Sequence, residues 1–452
     1  MDSSCLAIVL AAGLGTRMRS SLPKVMHEVG NLPLVGHVLR AVNEAGADKI
    51  AVVVGPNMPV VEEAVVRIAP NASNYTQVDR LGTAHAVKAA ESAYLEGHDH
   101  VLVLFGDTPL VTAQTFNKLR HKLHQGADIA VLGFSAKNPF GYGRLLVENG
   151  QLKAIREEKD ASEQERKVQF CNAGIMAFKG KHLQSIVAAI GNSNAKGEYY
   201  LTDAVEIGRD LGLKVVAEEA EELEVQGINN REQLANCERV FQEAMRSSAM
   251  EQGVTLKAPE TVFFSYDTEI ANDVVIEPNV VFGPGVQIET GAQIRAFSHL
   301  EQAVVRKNAI VGPYARLRPN SDIGSNARIG NFVEIKNTRV ETGAKVNHLS
   351  YIGDATIGEK SNIGAGAITC NYDGFLKHKT TIGSGVFVGS DSVLVAPVSI
   401  ADGAYVAAGS VITENISEND LALARSRQTV KPGRASEIRE RLSKAKKEQK
   451  NS

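Results

Sequence analysis

The 452-residue sequence predicts an α/β domain that is joined by one helix to a parallel β-helix. Up to about residue 228, apolar strand-like runs alternate with amphipathic helical stretches, which indicates a largely parallel sheet. Between residues 229 and 252, apolar residues recur at helical intervals with charges between them. Beyond residue 252, aliphatic residues recur every six positions, a period that neither a helix nor a lone strand produces.

The composition indicates a multidomain protein without a strong overall charge. There are 49 basic and 52 acidic side chains and a formal net charge of −3, so no nucleic acid or membrane partner is expected. Cys5, Cys171, Cys237 and Cys370 lie far apart, which favours neither a disulfide framework nor a zinc site. Because Asp2, rather than a basic segment, precedes the first apolar run, we expect no signal peptide and a cytoplasmic protein.

The first apolar run ends in a glycine turn that is suited to binding phosphate. Gly13 and Gly15 lack a Cβ, so backbone N–H groups there can approach an anion, and Thr16 is predicted to begin a helix. Arg17 and Lys24 supply a forked and a point positive charge. The dinucleotide fingerprint and the P-loop are both excluded, because the glycine and lysine positions that they require hold other residues.

The six-residue period indicates a β-helix, because each short strand points one aliphatic residue inward before the chain turns a corner. A glycine often follows that residue, as in Ile323-Gly324. An insertion at residues 370–380 interrupts the period, and we expect it to project as a binding loop. The predicted inward residues are Ile270, Ile276, Ile288, Ile294, Val304, Ile310, Ile323, Ile329, Ile335, Val340, Val346, Ile352, Ile357, Ile363, Ile382, Val388, Leu394, Ile400, Val406 and Ile412.

Two motifs carry a family resemblance. The segment Leu10-Ala-Ala-Gly-Leu-Gly-Thr-Arg-Met18, followed by Pro23-Lys24, resembles the signature of the sugar-phosphate nucleotidyltransferases, and the six-residue period resembles the left-handed hexapeptide-repeat β-helix. Over residues 10–425 the chain resembles the bacterial bifunctional N-acetylglucosamine-1-phosphate uridylyltransferases and glucosamine-1-phosphate acetyltransferases. Segments 81–85, 105–110, 141–144, 197–203, 227–231, 315–319, 331–336, 347–351 and 363–373 follow the order of that family.

The resemblance implies a division of the chain and two reactions. Acetyl-CoA would acetylate glucosamine-1-phosphate, and UTP would then convert the product to UDP-N-acetylglucosamine, a precursor of peptidoglycan and lipopolysaccharide. It also implies Mg²⁺ and a homotrimer that shares its acetyl sites. The implied parts are a Rossmann-like, mixed-sheet uridylyltransferase domain at residues 1–228, a linker helix at 229–252, a left-handed β-helix acetyltransferase domain at 253–425 and a basic tail at 426–452.

For uridylyl transfer, the resemblance implies catalysis by Arg17 and Lys24, with Mg²⁺ held by Asp107 and Asn229. Asp107 follows an apolar strand, where a carboxylate can hold Mg²⁺ or simply close a turn. Phe105 stands where many members have tyrosine. The ionised sugar phosphate needs no general base. The implied UDP-N-acetylglucosamine contacts are Leu10, Ala11, Ala12, Gly13, Lys24, Gln77, Gly82, Thr83, Phe105, Gly106, Asp107, Gly143, Glu157, Asn172, Thr202 and Asn229.

Acetyl transfer to an amine needs a base, and histidine is suited to that task. The resemblance implies His348 as the base and Glu334, one coil earlier, as its orienting partner. It also implies Arg318, Lys336, Tyr351 and Asn362 as contacts of glucosamine-1-phosphate, and Ala365, Asn371, Tyr372, Ser390, Ala408 and Arg425 as contacts of acetyl-CoA.

Two other functions are compatible with parts of this pattern. The first is a single-activity nucleotidyltransferase whose β-helix serves only oligomerisation or allosteric control; His348, Glu334 and the 370–380 insertion disfavour it. The second is a noncatalytic sensor or assembly subunit, which the intact cations and metal ligands of the first domain disfavour. The basic tail is predicted as a solvated, partly disordered end, with binding of CoA phosphates as the alternative.

Overall fold

The structure, a computed structural model, describes residues 3–148 and 150–451. The chain divides into two units: Met1–Ser248 with Phe263–Tyr266, and Ala249–Val262 with Asp267–Ser452. The division lies inside the helix Arg231–Glu251. The outer limits predicted for the domains, residues 1 and 452, lie outside the described residues, as does Asp2.

The first unit is built on a mixed nine-stranded sheet, as predicted. One strand of its main path, Phe170–Lys179, runs antiparallel to both neighbours, and the remaining pairs of that path are parallel. The hairpin Arg144–Glu148 and Gln151–Arg156 joins the sheet beside Phe170–Lys179. The main path reads Val215–Glu219, Ile129–Ser135, Phe170–Lys179, His100–Phe105, Cys5–Leu10, Lys49–Val54 and Ala72–Thr76.

Two apolar clusters cover this sheet, because successive residues of its strands point to opposite faces. In Cys5–Leu10, for example, Val9 belongs to one cluster and Ile8 to the other. The α-helices of the unit are Leu34–Glu44, Pro59–Ile68, Thr83–Ala89, Glu91–Tyr94, Ala113–His124, Gly180–Ala189 and Ala204–Asp210. The shorter elements are the 3₁₀ turns Thr16–Met18, Lys24–Met26, Glu165–Lys167 and Leu201–Asp203 and the strand pair Glu28–Val29 and Leu32–Pro33.

The helix predicted to begin at Thr16 is only a 3₁₀ turn, Thr16–Met18. Gly15 before it and Arg19 after it both adopt the left-handed conformation, with φ of 60° and 49°. A right-handed helix cannot continue through such residues, so the turn ends after two backbone hydrogen bonds, from the Met18 and Arg19 N–H groups to the Gly15 and Thr16 carbonyls. The glycine segment is therefore a loop with an irregular backbone.

The second unit is a parallel β-helix in which each coil adds one strand to each of three sheets, which confirms the predicted left-handed β-helix class. The first sheet contains Thr255–Leu256, Val275–Ile276, Gln293–Ile294, Ile310–Val311, Arg328–Asn331, Lys345–His348, Asn362–Ile363, Phe387–Val388, Tyr405–Val406 and Leu421–Ala422. The second contains Glu269–Ile270, Gln287–Ile288, Ala303–Val305, Ser321–Ile323, Thr338–Val340, Ala355–Ile357, Thr380–Ile382 and Val398–Ile400. The third contains Val281–Phe282, His299–Leu300, Arg316–Leu317, Glu334–Lys336, Tyr351–Gly353, Ile368–Cys370, Val393–Val395 and Val411–Ile412. A 3₁₀ turn, Pro259–Thr261, lies in the first coil.

The predicted inward positions Val304 and Ile310 are wrong by one residue. Val305 and Val311 are fully buried, whereas Val304 and Ile310 are only half-buried. The inward residue before them is Leu300, which is also fully buried. The step from Leu300 to Val305 is thus five residues, and a shift of one residue turns the other side of a strand inward.

Much of the basic tail forms an exposed helix, in agreement with the prediction that it is solvated. Arg434–Asn451 forms a helix, and residues 423–450 are all exposed. Glutamate, arginine, lysine and alanine dominate this segment and have high helix propensity, which favours a helix in an exposed segment. Across the described residues, no helix is both long and apolar enough to cross a membrane.

Candidate active sites

In the first unit, the carboxyl ends of two neighbouring parallel strands border a crevice. Leu10 ends one strand opposite Phe105, which ends the other, and the Gly106 N–H donates to the Leu10 carbonyl at 3.0 Å. The loops that carry Gly13 and Asp107 therefore leave the sheet side by side. Parallel α/β sheets bind ligands in such a position, where the chain connections switch direction.

A cavity of about 280 Å³ opens at this crevice. Gln77 is buried in its wall, and its side-chain amide nitrogen donates to the Gly82 carbonyl at 3.2 Å and lies 3.3 Å from His85 Nδ1. The predicted nucleotide contacts that line the cavity are Leu10, Ala11, Ala12, Gly13, Lys24, Gln77, Gly82, Thr83, Phe105 and Asp107.

The cavity wall also includes residues that the sequence analysis missed: Val25, Arg80, Ala86 and Glu198. The Arg80 Nε donates to the Ala12 carbonyl at 2.7 Å and so ties the glycine loop to the segment before Gly82. The sequence does contain a signal for Arg80, because this cation stands directly before the glycine motif that begins at Leu81. Nothing in the sequence pattern distinguishes Val25 or Ala86 from ordinary core residues.

Two cations and two oxygen ligands converge beside this cavity. Lys24 Nζ forms an ion pair with the Asp107 carboxylate and lies 3.4 Å from Asn229 Oδ1. Arg17 Nη2 donates to the same Asn229 oxygen at 2.8 Å. The structure thus brings together the four residues predicted to act on the phosphates, although Asn229 comes from a distant part of the sequence.

Backbone hydrogen bonds determine where Asn229 lies. The Ile228 N–H donates to the Asp107 carbonyl at 2.9 Å, which holds the two loops together. Asn229 Nδ2 donates to the Gly227 carbonyl at 3.2 Å, and Gln233 Oε1 accepts from the Asn229 N–H at 2.7 Å. These bonds leave the Asn229 side-chain oxygen turned toward the cations.

The donor atoms at this point fit Mg²⁺. One ammonium group contacts both the Asp107 carboxylate and Asn229 Oδ1, so a single cation can reach both oxygens. Mg²⁺ is commonly held by one or two protein oxygens together with substrate phosphates and water. Residues 3–148 and 150–451 contain no cluster of three or more histidine, cysteine or acidic side chains that could hold a metal ion.

The four predicted sugar contacts, Gly143, Glu157, Asn172 and Thr202, also meet in the first unit. The Asn172 N–H donates to the Gly143 carbonyl at 2.8 Å, and the Thr202 hydroxyl donates to Glu157 Oε1 at 3.4 Å. Burial raises the pKa of Glu157, while the charge of Lys196 and the Thr202 hydroxyl oppose that shift. A half-buried carboxylate with few internal donors is well placed to accept hydroxyl hydrogen bonds from a ligand.

This group of predicted sugar-contact residues adjoins the nucleotide cavity. Thr83 Oγ1 accepts a hydrogen bond from the Leu201 N–H at 2.9 Å, directly before Thr202. The Phe105 ring packs on Gly174, whose φ is 77° and whose position leaves no room for a Cβ. Phe105 therefore provides an aromatic packing surface without the hydroxyl of a tyrosine.

In the second unit, His348 lies at the end of a strand with Asn331 opposite it on the previous coil. Asn331 Oδ1 lies 3.0 Å from His348 Nδ1. Glu334 instead accepts a hydrogen bond from Arg318 Nη1 at 2.8 Å and lies opposite Tyr351 on the adjacent sheet. The predicted partnership of Glu334 with His348 is thus absent from the described contacts, because the register pairs His348 with Asn331.

A group of cations lies next to Glu334. Contact with the Lys377 ammonium lowers the pKa of Lys336, and the charge of Arg318 acts in the same direction. Like charges held this close favour an anion between them. Lys377 belongs to the projecting insertion and was missed, although a lysine in a predicted binding loop was the available signal.

The insertion itself is a small hairpin. Tyr372 and Lys377 form an antiparallel bridge, and the Asp373 carboxylate accepts from the Phe375 and Leu376 N–H groups at 2.8 and 2.7 Å. Asn371 is buried at its base and donates to Asp354. Tyr372 is exposed, so the two predicted acetyl-CoA contacts of the loop differ in access to solvent.

The other predicted acetyl-CoA contacts form a line along the β-helix. The Asp391 N–H donates to the Ala365 carbonyl, and the Gly409 N–H donates to the Ser390 carbonyl, both at 2.8 Å. Arg425 Nη1 donates to the Ala408 carbonyl at 2.7 Å. The residues Ala365, Ser390, Ala408 and Arg425 therefore follow one another on successive coils.

Two predicted glucosamine-1-phosphate contacts, Tyr351 and Asn362, lie on strands of the third and first sheets. Asn362 lies opposite Lys345 and Phe387.

Comparisons with known proteins agree with this division. The model of the MobA-like NTP transferase domain matches residues 7–169, and the model of the GMPPB C-terminal domain matches residues 299–418. "Bifunctional protein GlmU" of Rhodopseudomonas palustris (strain BisB5) is 56% identical over 442 residues, which cover 98% of this chain and 98% of the relative. Those of Azorhizobium caulinodans and Agrobacterium fabrum are each 54% identical, and the matches cover 97% and 100% of this chain and 98% and 99% of the relatives.

The chain belongs to the GlmU family. The word "bifunctional" in the names of the GlmU relatives agrees with two separate groups of polar residues, one in each unit of this chain. No comparison supports the single-activity alternative.

The glycine loop of this GlmU chain allows a direct test of the first site. A Cβ on Gly15, which has φ of 60°, would overlap the Lys24 Cβ. We expect Gly15→Ala to destabilise the protein by about 1–2 kcal/mol, as for a non-glycine residue in this conformation. Displacement of the Lys24 ammonium should also slow nucleotidyl transfer by about 10²-fold. Denaturant unfolding and pyrophosphate release measure the two effects.

Gly13→Ala is the matched control for stability, because an added Cβ there meets no atom within 4 Å. Its free energy of unfolding should equal that of the wild type. Equal stability and equal rate in Gly15→Ala would show that the contact between the loop and Lys24 does not matter.

Proposed function

We propose how two activities are distributed over this chain. The protein is an enzyme with an acetyltransferase and a uridylyltransferase activity. Acetyl transfer from acetyl-CoA to glucosamine-1-phosphate takes place in the β-helix around His348. Uridylyl transfer from UTP to N-acetylglucosamine-1-phosphate takes place at the crevice of the first unit. The convergence of Arg17, Lys24, Asp107 and Asn229 is the observation that carries this assignment.

In uridylyl transfer, a phosphate oxygen of the sugar 1-phosphate attacks the α-phosphorus of UTP, and the bond to pyrophosphate breaks. The attacking oxygen is already ionised, so positioning and charge neutralisation provide the catalysis. Arg17 and Lys24 neutralise phosphate charge. Mg²⁺, held by Asp107 and Asn229 when bound, supplies further neutralisation at the phosphates.

Gln77 selects the base. Its side-chain nitrogen is engaged by the Gly82 carbonyl and His85, so its oxygen is the atom that can accept the uracil N3–H. A cytosine ring lacks that donor. Glu157, Asn172 and Thr202 hold the hydroxyls and the acetamido group of the sugar, with the Gly143 backbone beside them.

In acetyl transfer, the amine nitrogen attacks the thioester carbonyl, the C–S bond breaks, and the thiol of CoA leaves. His348 Nε2 accepts the proton that the nitrogen loses and then passes it to the departing CoA sulfur. Asn331 Oδ1 accepts a hydrogen bond from the Nδ1–H, which directs the free lone pair to Nε2. Arg318, Lys336 and Lys377 bind the sugar phosphate, and Glu334 orients Arg318 rather than the base.

The role of Asn331 predicts a change in pH dependence. Asn331→Asp places a negative charge 3.0 Å from the ring nitrogen and should stabilise the imidazolium. The acidic limb of the acetyl-transfer profile should then move to higher pH by about one unit, because the base must be neutral. Asn331→Ala should slow the reaction by about tenfold without that displacement, since only orientation is lost.

Thiol release measured between pH 5.5 and 9 separates these outcomes. Glu334→Gln is the matched control, because it removes a carboxylate from the adjacent sheet, and the described contacts of Glu334 do not include the His348 ring. If the acidic limb of the pH profile moved in Glu334→Gln and stayed in place in Asn331→Asp, Glu334 rather than Asn331 would be the residue that orients the His348 ring.

We also propose that the enzyme is a cytoplasmic homotrimer that shares its acetyl sites. Stacked rings of Phe297, Tyr314 and Phe332, with centroids 4.8 and 5.1 Å apart, run along one corner of the β-helix and continue to Leu349. All four side chains are about half exposed, and Leu349 directly follows His348 in the chain. An exposed apolar row of this kind supports a contact with another subunit, and the free cysteines support a reducing compartment.

The decisive experiment is an assay of the purified full-length protein with each substrate pair. Thiol release from acetyl-CoA with glucosamine-1-phosphate and pyrophosphate release from UTP with N-acetylglucosamine-1-phosphate are followed separately. We expect both products. Pyrophosphate alone would favour a nucleotidyltransferase with a structural β-helix, and neither product would favour a sensor.

A further inference from the structure

We propose that Arg144 is a positioning residue for the sugar subsite of uridylyl transfer, an inference that rests on the function proposed for that subsite. Arg144 begins the strand Arg144–Glu148, directly after Gly143. It is 1% exposed and is the largest fully buried side chain among the described residues. A guanidinium remains charged in proteins, so its burial requires strong compensating hydrogen bonds.

Those hydrogen bonds join separate segments around the subsite. Arg144 Nη2 donates to Glu158 Oε2 at 2.6 Å and to the Arg166 carbonyl at 3.2 Å, while Nη1 donates to the Tyr142 carbonyl. The Gly141 N–H donates to the same Glu158 oxygen at 3.1 Å. One arginine and one carboxylate therefore connect the loop at 141–143 to the end of the strand before Glu158.

Both connected segments carry a sugar contact. Gly143 lies between Tyr142 and Arg144, and Glu157 directly precedes Glu158. A Cβ on Gly143 would lie 3.4 Å from Glu157 Oε1, so the two segments already approach within van der Waals contact. Because Arg144 connects them, its hydrogen bonds set the distance between the Gly143 backbone and the Glu157 carboxylate.

The electrostatics assign the two adjacent carboxylates to different tasks. Burial opposes ionisation of Glu158, but hydrogen bonds from Arg144 and Gly141 lower its pKa overall. Burial raises the pKa of Glu157, which receives no bond from the guanidinium among the described contacts. Arg144 thus keeps Glu158 as a structural anion and leaves Glu157 to the ligand.

An unmet hydrogen bond supports a role beyond packing. Arg144 Nε is buried and has no hydrogen-bond partner among the described residues. A buried donor without a partner lowers the stability of the fold, and an apolar side chain of similar volume would avoid that loss of stability. The arginine also lines none of the nucleotide cavity, so it acts on the sugar only through Gly143 and Glu157.

The test compares Arg144→Met and Arg144→Lys in the full chain. Arg144→Met should raise the KM for N-acetylglucosamine-1-phosphate by about tenfold or more, with the KM for UTP changed less than about twofold. Arg144→Lys should be intermediate, because one ammonium cannot reproduce the fork. Thiol release in the second unit should stay at the wild-type rate.

Arg156→Met is the matched control. Arg156 lies opposite Arg144 in the hairpin register, but its side chain is 34% exposed and pairs with Glu206 and Glu165. Its kinetic constants should equal those of the wild type. A change as large as that of Arg144→Met would mean that any disturbance of the hairpin affects the subsite.

Two outcomes would overturn the inference in a folded variant: an unchanged KM for the sugar phosphate in Arg144→Met, or an equal rise in the KM for both substrates. Should Arg144→Met fail to fold, Glu158→Gln keeps the shape and removes the paired charge, and it should give a smaller rise in the same KM. A wild-type protein without pyrophosphate release would instead contradict the proposed function.

Discussion

Replacement of Asp107 by alanine should reduce uridylyl transfer by about 10³-fold, because a preorganised charge at the reacting phosphates is lost. The change removes the ion-pair partner of Lys24 and leaves Asn229 as the remaining protein oxygen at the proposed metal site. Acetyl transfer should continue at the wild-type rate, since Asp107 belongs to the first unit and His348 to the second.

Pyrophosphate and thiol release are measured on one preparation of Asp107→Ala, over a range of Mg²⁺ concentrations. Asp79→Ala is the matched control, because Asp79 is exposed and does not line the cavity. Loss of both products in a folded protein, or wild-type pyrophosphate release, would contradict the assignment of Asp107.

Replacement of His348 by alanine should reduce acetyl transfer by about 10²–10⁴-fold, the usual contribution of a general base. Part of the rate should return as the pH is raised, because the substrate amine then loses its proton to solvent. Uridylyl transfer should remain at the wild-type rate, since the first unit contains its residues.

The measurement is thiol release between pH 6 and 9.5, with pyrophosphate release as the check on folding. His299→Ala is the matched control, because His299 is an exposed histidine of the same β-helix. A full acetyl-transfer rate in His348→Ala would remove the base from the proposed mechanism, and loss of both activities would contradict two separate sites.

The β-helix was predictable from the sequence because its period of six has no other common source. The residue that points inward was not predictable at every coil. Val304 and Val305 are adjacent aliphatic residues, as are Ile310 and Val311, so either member of each pair satisfies the pattern. Only the five-residue step after Leu300 decides which member is buried. A five-residue step of this kind leaves no mark in the composition of the sequence.

The nucleotide site, too, was predictable from the sequence only in part. A glycine turn after a strand and an aspartate after another strand indicate a phosphate site, because parallel strands end at a common edge. The position of Asn229 was not predictable from that rule. A backbone hydrogen bond between Ile228 and Asp107, far apart in the chain, brings its side chain to Lys24.

The sequence by itself determined the alternation of strands and helices from which the first unit follows, and the six-residue repeat from which the second unit follows. Only the tertiary structure decided which side chains are partners. Asn331 and Glu334 both lie one coil before the acetyl site, and the parallel register places Asn331 opposite His348 and Glu334 opposite Tyr351. Local sequence sets the period of a chain, but contacts between coils depend on register, which a change of one residue in a corner alters.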